Sequence, residues 1–118
     1  MSKVKAVSQK SKLYMKYTKH ILPNKTTILT VPMPHTEATM AMAMVKAGSR
    51  NEDEAEKGLA HFTEHMAFKG GKFFKKPKDV AIAVDGIGGD FNAFTAEEVT
   101  AYYIRAAKEH NKLSLDVL

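Results

Sequence analysis

Gly58-Leu59-Ala60-His61-Phe62-Thr63-Glu64-His65-Met66-Ala67-Phe68-Lys69 is the stretch from which the rest of the chain can be read. Leu59, Phe62 and Met66, with Phe68 beside them, recur at helical spacing and predict a buried stripe, and Gly70-Gly71 predicts the stop. On such a helix His61 and His65 stand about 40° apart around the axis and ~6 Å apart along it, so their imidazoles can converge on one ion. Glu64, three residues after His61, lies on the same arc. Zinc takes neutral imidazole nitrogens at about 2.0–2.1 Å and, for hydrolysis, keeps a position open for water whose pKa it lowers towards ~7. A carboxylate beside that position can accept the proton as the water attacks a carbonyl. The residues therefore suggest one zinc ion held by His61 and His65, with Glu64 as general base. The order is inverted relative to the commoner helical motif, which sets its Glu beside the first His. A helix whose His and Glu are simply solvated is the competing reading.

Upstream of this helix, Asn51 to Glu56 is acidic, which favours a helix N-terminus. Before it, Met40, Met42 and Met44 alternate with Ala41, Ala43 and Val45 in a strand ended by Gly48-Ser49-Arg50. Both faces of that strand are apolar, so it is expected to be buried on both sides or covered by a helix. The methionines read as core, because thioethers suit copper(I) rather than a site of His and carboxylate. Earlier still, Tyr14 to Leu22 alternates weakly, Pro23-Asn24-Lys25 supplies turn chemistry, and Thr26 to Val31 is rich in β-branched residues, which together predict a hairpin.

Downstream, Pro77 opens a second helix in which Val80, Val84 and Ile87 recur at helical spacing, closed by Gly88-Gly89. Asp90 to Thr95 reads as a short strand and Val99 to Ile104 as another. A third helix begins near Glu109, with Leu113 and Val117 on one side. Strands, two helices, strands and a helix in that order predict an α+β fold with a mixed, largely antiparallel sheet packed with helices.

Composition bounds the function. At 118 residues and 44% hydrophobic, the chain has the make-up of a globular domain or part of one. It has no cysteine, which excludes disulfides and thiolate ligands. No apolar run is long enough to cross a bilayer and no signal-like segment opens the chain, so no membrane partner is expected and the expected location is cytoplasmic, with an organelle matrix as the alternative. The net charge of +5 is concentrated early: no Asp or Glu precedes Glu37, while Lys3, Lys5, Lys10, Lys12, Lys16, Lys19 and Lys25 do. Residues 1–13 are therefore expected to be a disordered basic leader, and residues 14–118 the ordered portion. Arg and aromatics are not interleaved as nucleic-acid binding would want, so no such partner is expected.

Taken together, Gly48-Ser49-Arg50, the block His61 to Gly70, the block Gly88-Gly89-Asp90-Phe91-Asn92-Ala93-Phe94-Thr95, and then Glu98, Thr100, Tyr102 and Tyr103 resemble the inverted-zincin metallopeptidases of the pitrilysin, insulysin and mitochondrial processing peptidase family. The similarity runs from about Tyr17 to the end and corresponds to the N-terminal portion of the family's first domain. It implies a zinc metalloendopeptidase acting on a peptide or unfolded protein, with His61 and His65 as metal ligands and Glu64 as base. It also implies that Asn92, Ala93 and Phe94 bind the substrate, which in this family joins a sheet edge as an added strand. The physics of such an edge is general: its unpaired backbone groups hold an extended peptide in fixed register. The same resemblance places a third ligand, a Glu on a later helix, beyond Leu118. A downstream segment or a second chain is thus expected to complete the site, and residues 1–118 alone are expected to be inactive. The alternative is a non-catalytic binding or assembly subunit of the same fold. Asn92 could also be an ordinary turn or bulge residue, Glu98 a salt-bridged surface residue, and Tyr102 and Tyr103 packing residues. His20, His35 and His110 have no partner at ligand spacing.

Overall fold

A computed structural model describes residues 16–118, so the expected basic leader, residues 1–13, lies outside the described residues. The chain divides after Thr36 into two compact units. In the first, β1 (Thr18–Ile21) and β2 (Thr27–Thr30) form the expected antiparallel hairpin, with Thr18 opposite Thr30 and Ile21 opposite Thr27. The turn is made by side-chain chemistry: Asn24 Oδ1 accepts the Thr26 N–H at 3.1 Å, and Lys25 takes a left-handed φ of 68°. An Asn that hydrogen-bonds the backbone two residues on offers the chain an alternative to extending the strand.

The second unit is a three-stranded sheet in the order β3-β5-β4, built from β3 (Ala38–Val45), β4 (Asp90–Thr95) and β5 (Thr100–Ala107). With α1 (Leu59–Ala67), α2 (Pro77–Asp85) and α3 (Asn111–Val117) it makes an α+β fold. Every strand pair among the described residues is antiparallel. This agrees with the expected largely antiparallel sheet, and the β4–β5 connection is too short for a crossover. β5 extends past the expected end near Ile104, since Arg105, Ala106 and Ala107 pair with Met40, Thr39 and Ala38.

Register sorts the side chains into two faces, because residues opposite each other in a ladder project to the same side. Thr39, Ala41 and Ala43 share one face with Thr100, Tyr102, Ile104 and Ala106 and with Phe91, Ala93 and Thr95. That face is the packed one: Ile104 is fully buried, and Thr100 and Ala106 nearly so. α1 packs there against β4 and β5, and α3 packs against β5 and β3. The opposite face carries Met40, Met42, Met44, Asn92 and Phe94, all exposed, with Met44 at 62%. β3 is therefore covered by a helix, α3, on one face only, the second of the two expected arrangements, while its methionines, expected in the core, are exposed. Alternating Met and Ala cannot say which face has a neighbour, since both types are apolar.

A second correction concerns α1. Its expected buried stripe of Leu59, Phe62 and Met66 is exposed, Phe62 to 62%. The half-buried residues are instead Ala60, Glu64 and Phe68, spaced by four along one arc. A helix lying close to bulky Tyr102 and Phe91 favours small or thin side chains on the contact arc, and only at its end does it place a ring. Phe68 there meets Phe91 edge-on at 4.9 Å and Tyr102 at 6.1 Å between ring centres, a favoured aromatic geometry. α2 follows its starting signals, with Pro77 first, Asp79 Oδ2 accepting the Lys76 N–H at 3.0 Å, and Val80 and Val84 buried, but it ends at Asp85 with Gly86 as its cap, so Ile87 lies beyond it and Gly88, at φ 64°, in the turn that follows.

Candidate active site

His61 and His65 are the third and seventh residues of α1, and their rings face one another at 4.5 Å between centres with a 48° tilt. Both side chains are exposed. Among the described residues neither ring is engaged in a hydrogen bond or ion pair. Two free imidazoles on one arc suit a divalent ion at two positions of its coordination shell. No group of three or more His, Cys, Asp or Glu able to hold a metal is found among the described residues. Carboxylates elsewhere in the chain are engaged with other partners: Glu97 and Glu98 with Arg50, Asp116 with Lys112 at 2.6 Å, and Glu109 near His110 at 3.5 Å. An open hydrolytic zinc site needs three protein ligands, so the donor set here fits in two places and lacks one.

Glu64 leaves the helix on the adjoining arc and is held by the sheet. Thr95 Oγ1 donates to Glu64 Oε2 at 2.6 Å, a short bond of the kind expected for a hydroxyl on a carboxylate. Tyr102 lies close by: burial and then the negative charge of Glu64 push its phenol above its ordinary value, so it stays protonated through neutral pH. Thr95 is absent from the candidates drawn from the sequence. The signal that could have found it is the alternation of β4, where Thr95 is a polar residue on the same inward face as Phe91 and Ala93.

Asn92 and Phe94 project from the open face of the sheet, opposite Tyr103 and Ala101, while Ala93 projects towards the helices. What the three share is a backbone edge, since β4 is the outer strand of its sheet among the described residues. Asn92 sits in regular ladder register, with its Oδ1 accepting the Ala93 N–H at 2.8 Å. Tyr102 and Tyr103 are both half-buried packing residues, and Glu98 is a salt-bridged surface residue. α1 and the end of β4 are thus joined through Glu64 and Thr95.

Residues 27–118 match the family model described as Insulinase (Peptidase family M16). This chain belongs to the insulinase family. It is 44% identical over 97 residues to an uncharacterized zinc protease of Rickettsia bellii, covering 82% of this chain and 23% of that protein. It is 37% identical over 97 residues to the mitochondrial-processing peptidase subunit beta of Saccharomyces cerevisiae, covering 82% of this chain and 21% of that one. Among solved structures, a protease from Helicobacter pylori superposes with a TM-score of 0.83 at 31% identity, over 88% of this chain and 25% of that chain. The insulinase-family chain described here therefore spans about a quarter or less of the length of these relatives. The resemblance drawn from the three motif blocks and the family match agree, and the antiparallel α+β architecture agrees with the superposed protease.

Proposed function

We propose that this chain forms part of a zinc metalloendopeptidase that hydrolyses peptides bound in extended form. His61 and His65 would hold the ion at two positions, and a ligand from outside the described residues, on a further segment or another chain, would supply the third. When bound, the ion lowers the pKa of water and polarises the scissile carbonyl. Glu64 is the general base. With Oε2 fixed by Thr95, its other oxygen is the one available to take the proton from the attacking water. The substrate adds to the free edge of β4 along Asn92, Ala93 and Phe94, where the backbone groups directed away from β5 pair with it once Asn92 Oδ1 releases the Ala93 N–H, and its register along that edge decides which peptide bond arrives beside Glu64. The observation that carries this reading is the imidazole pair, 4.5 Å between ring centres, beside a carboxylate held in one orientation by the edge strand. The zinc-protease names of the relatives support it.

The test is Glu64→Gln in the zinc-loaded protein with the segment or chain that supplies the third ligand present. Zinc content by native mass spectrometry should be unchanged, while peptide hydrolysis should fall by about 10²-fold or more, the usual contribution of a general base. Hydrolysis that survives the substitution would remove Glu64 from the role. Zinc retained by a His61→Ala, His65→Ala double variant would remove the ligands.

A further inference from the structure

The segment between β3 and α1 touches both halves of the site. Ser49 N–H donates to Ala96 O at 3.2 Å and Arg50 N–H to Glu97 O at 2.8 Å, while the Arg50 guanidinium pairs with the carboxylates of Glu97 and Glu98. These contacts hold the β4–β5 turn, immediately after Thr95. Two residues on, Glu52 reaches to the other partner: its Oε2 accepts the Gly58 N–H and its Oε1 the Ala60 N–H, each at 2.7 Å.

Those two amides belong to the N-cap and the second residue of α1, donors that a helix cannot satisfy within itself. Gly58 has no side chain with which to cap, and its φ of 89° is one that glycine adopts without strain. Other members of the acidic stretch are occupied locally, Asp53 with the Ala55 N–H and Glu54 with Lys57. Glu52 is thus the side chain that closes the first turn of α1, and His61 sits in that turn. The Arg50 pairs are more than half exposed on both sides and are screened by salt, whereas the two amides that Glu52 accepts have no partner within the helix.

We infer that Glu52 is a positioning residue of the metal site: by capping the first turn of α1 it holds His61 at the distance from His65 that one ion requires. This rests on the metallopeptidase reading above. A frayed first turn would let His61 swing away from His65, leaving a single imidazole, while Glu64 and the sheet stayed in place.

The test uses the 118-residue chain with Glu52→Ala, Glu52→Gln and, for comparison, Glu54→Ala. Zinc affinity is measured by competition with a chromophoric chelator, and amide hydrogen exchange is followed without metal. Glu52→Ala should weaken zinc binding by about tenfold or more, the range seen when a ligand loses its support. It should also speed exchange at Gly58 to Thr63 while leaving β5 amides unchanged. Glu52→Gln, which keeps the side-chain volume and one acceptor oxygen, should fall between, and Glu54→Ala should match the parent. Unchanged exchange and affinity in Glu52→Ala, or an equal loss in Glu54→Ala, would overturn the role. Failure to take up zinc both by the parent chain and by a form carrying the segment or chain that supplies the third ligand would instead overturn the metal reading on which it stands.

Discussion

Replacing Gly48 by alanine should cost more than any comparable change at the surface, and the structure gives the reason. Gly48 is buried with φ −160° and ψ −170°, an extended conformation open to every residue, so backbone strain is not at issue. Space is. A Cβ at this position would lie 2.2 Å from Ala96 O, 2.7 Å from Glu97 C and 2.8 Å from Glu97 O, all backbone atoms that cannot rotate away. Relief requires the segment to lift from the β4–β5 turn, which breaks the Ser49–Ala96 and Arg50–Glu97 amide bonds. Two such bonds are worth about 1 kcal/mol each net, and overpacking adds about 1–3 kcal/mol where the lift is incomplete, so a loss of about 2–5 kcal/mol is expected. Urea denaturation followed by circular dichroism should show the midpoint falling with the slope unchanged. Gly71→Ala is the control, because a Cβ there meets nothing within 4 Å; it should be neutral or stabilising by about 0.4–1 kcal/mol. Equal midpoints for the two variants would refute the close-approach argument.

Thr95→Val keeps the shape and removes the donor to Glu64, so turnover should drop by about tenfold or more with KM little changed, whereas Thr95→Ser should retain most of the rate; equal rates in the two variants would show that the hydroxyl does not orient the base. The amide hydrogen bonds from Ala60 and then Gly58 hold the Glu52 carboxyl below its ordinary 4.5. Its capping contribution is therefore complete above that value and is lost as pH falls through the lowered native one, so exchange protection in the first turn of α1 should decline only in acid. A decline between about pH 5 and 7 would point to another group. Met40, Met42 and Met44 line an uncovered sheet face, so the 118-residue chain should self-associate in sedimentation, and Met42→Lys with Met44→Lys should shift it towards monomer; a sharp parent monomer would contradict this.

The elements were legible where one residue type carries one backbone consequence. Asn24 and Lys25 mark the first turn, Pro77 the start of α2, and His61 and His65 follow helical spacing because nothing tertiary is needed to put residues four apart on one arc. The roles of Thr95 and Glu52 were not legible in the sequence, because each acts through a partner that lies elsewhere in the chain: Glu64 lies 31 residues from Thr95, and Glu52 caps amides 6 and 8 residues away across a turn.

By itself the sequence determined which residues could share a face: the period of 3.6 grouped two imidazoles with a carboxylate, and the period of two separated Thr95 from Phe94. Which of those faces would be covered was decided by tertiary structure alone. Leu59, Phe62 and Met66 are as apolar as any core, yet α1 turns Ala60, Glu64 and Phe68 to the sheet. Hydrophobicity is a preference for leaving water with no direction attached, and the direction comes from the shape of the neighbour, here the rings of Phe91 and Tyr102 against which Phe68 closes.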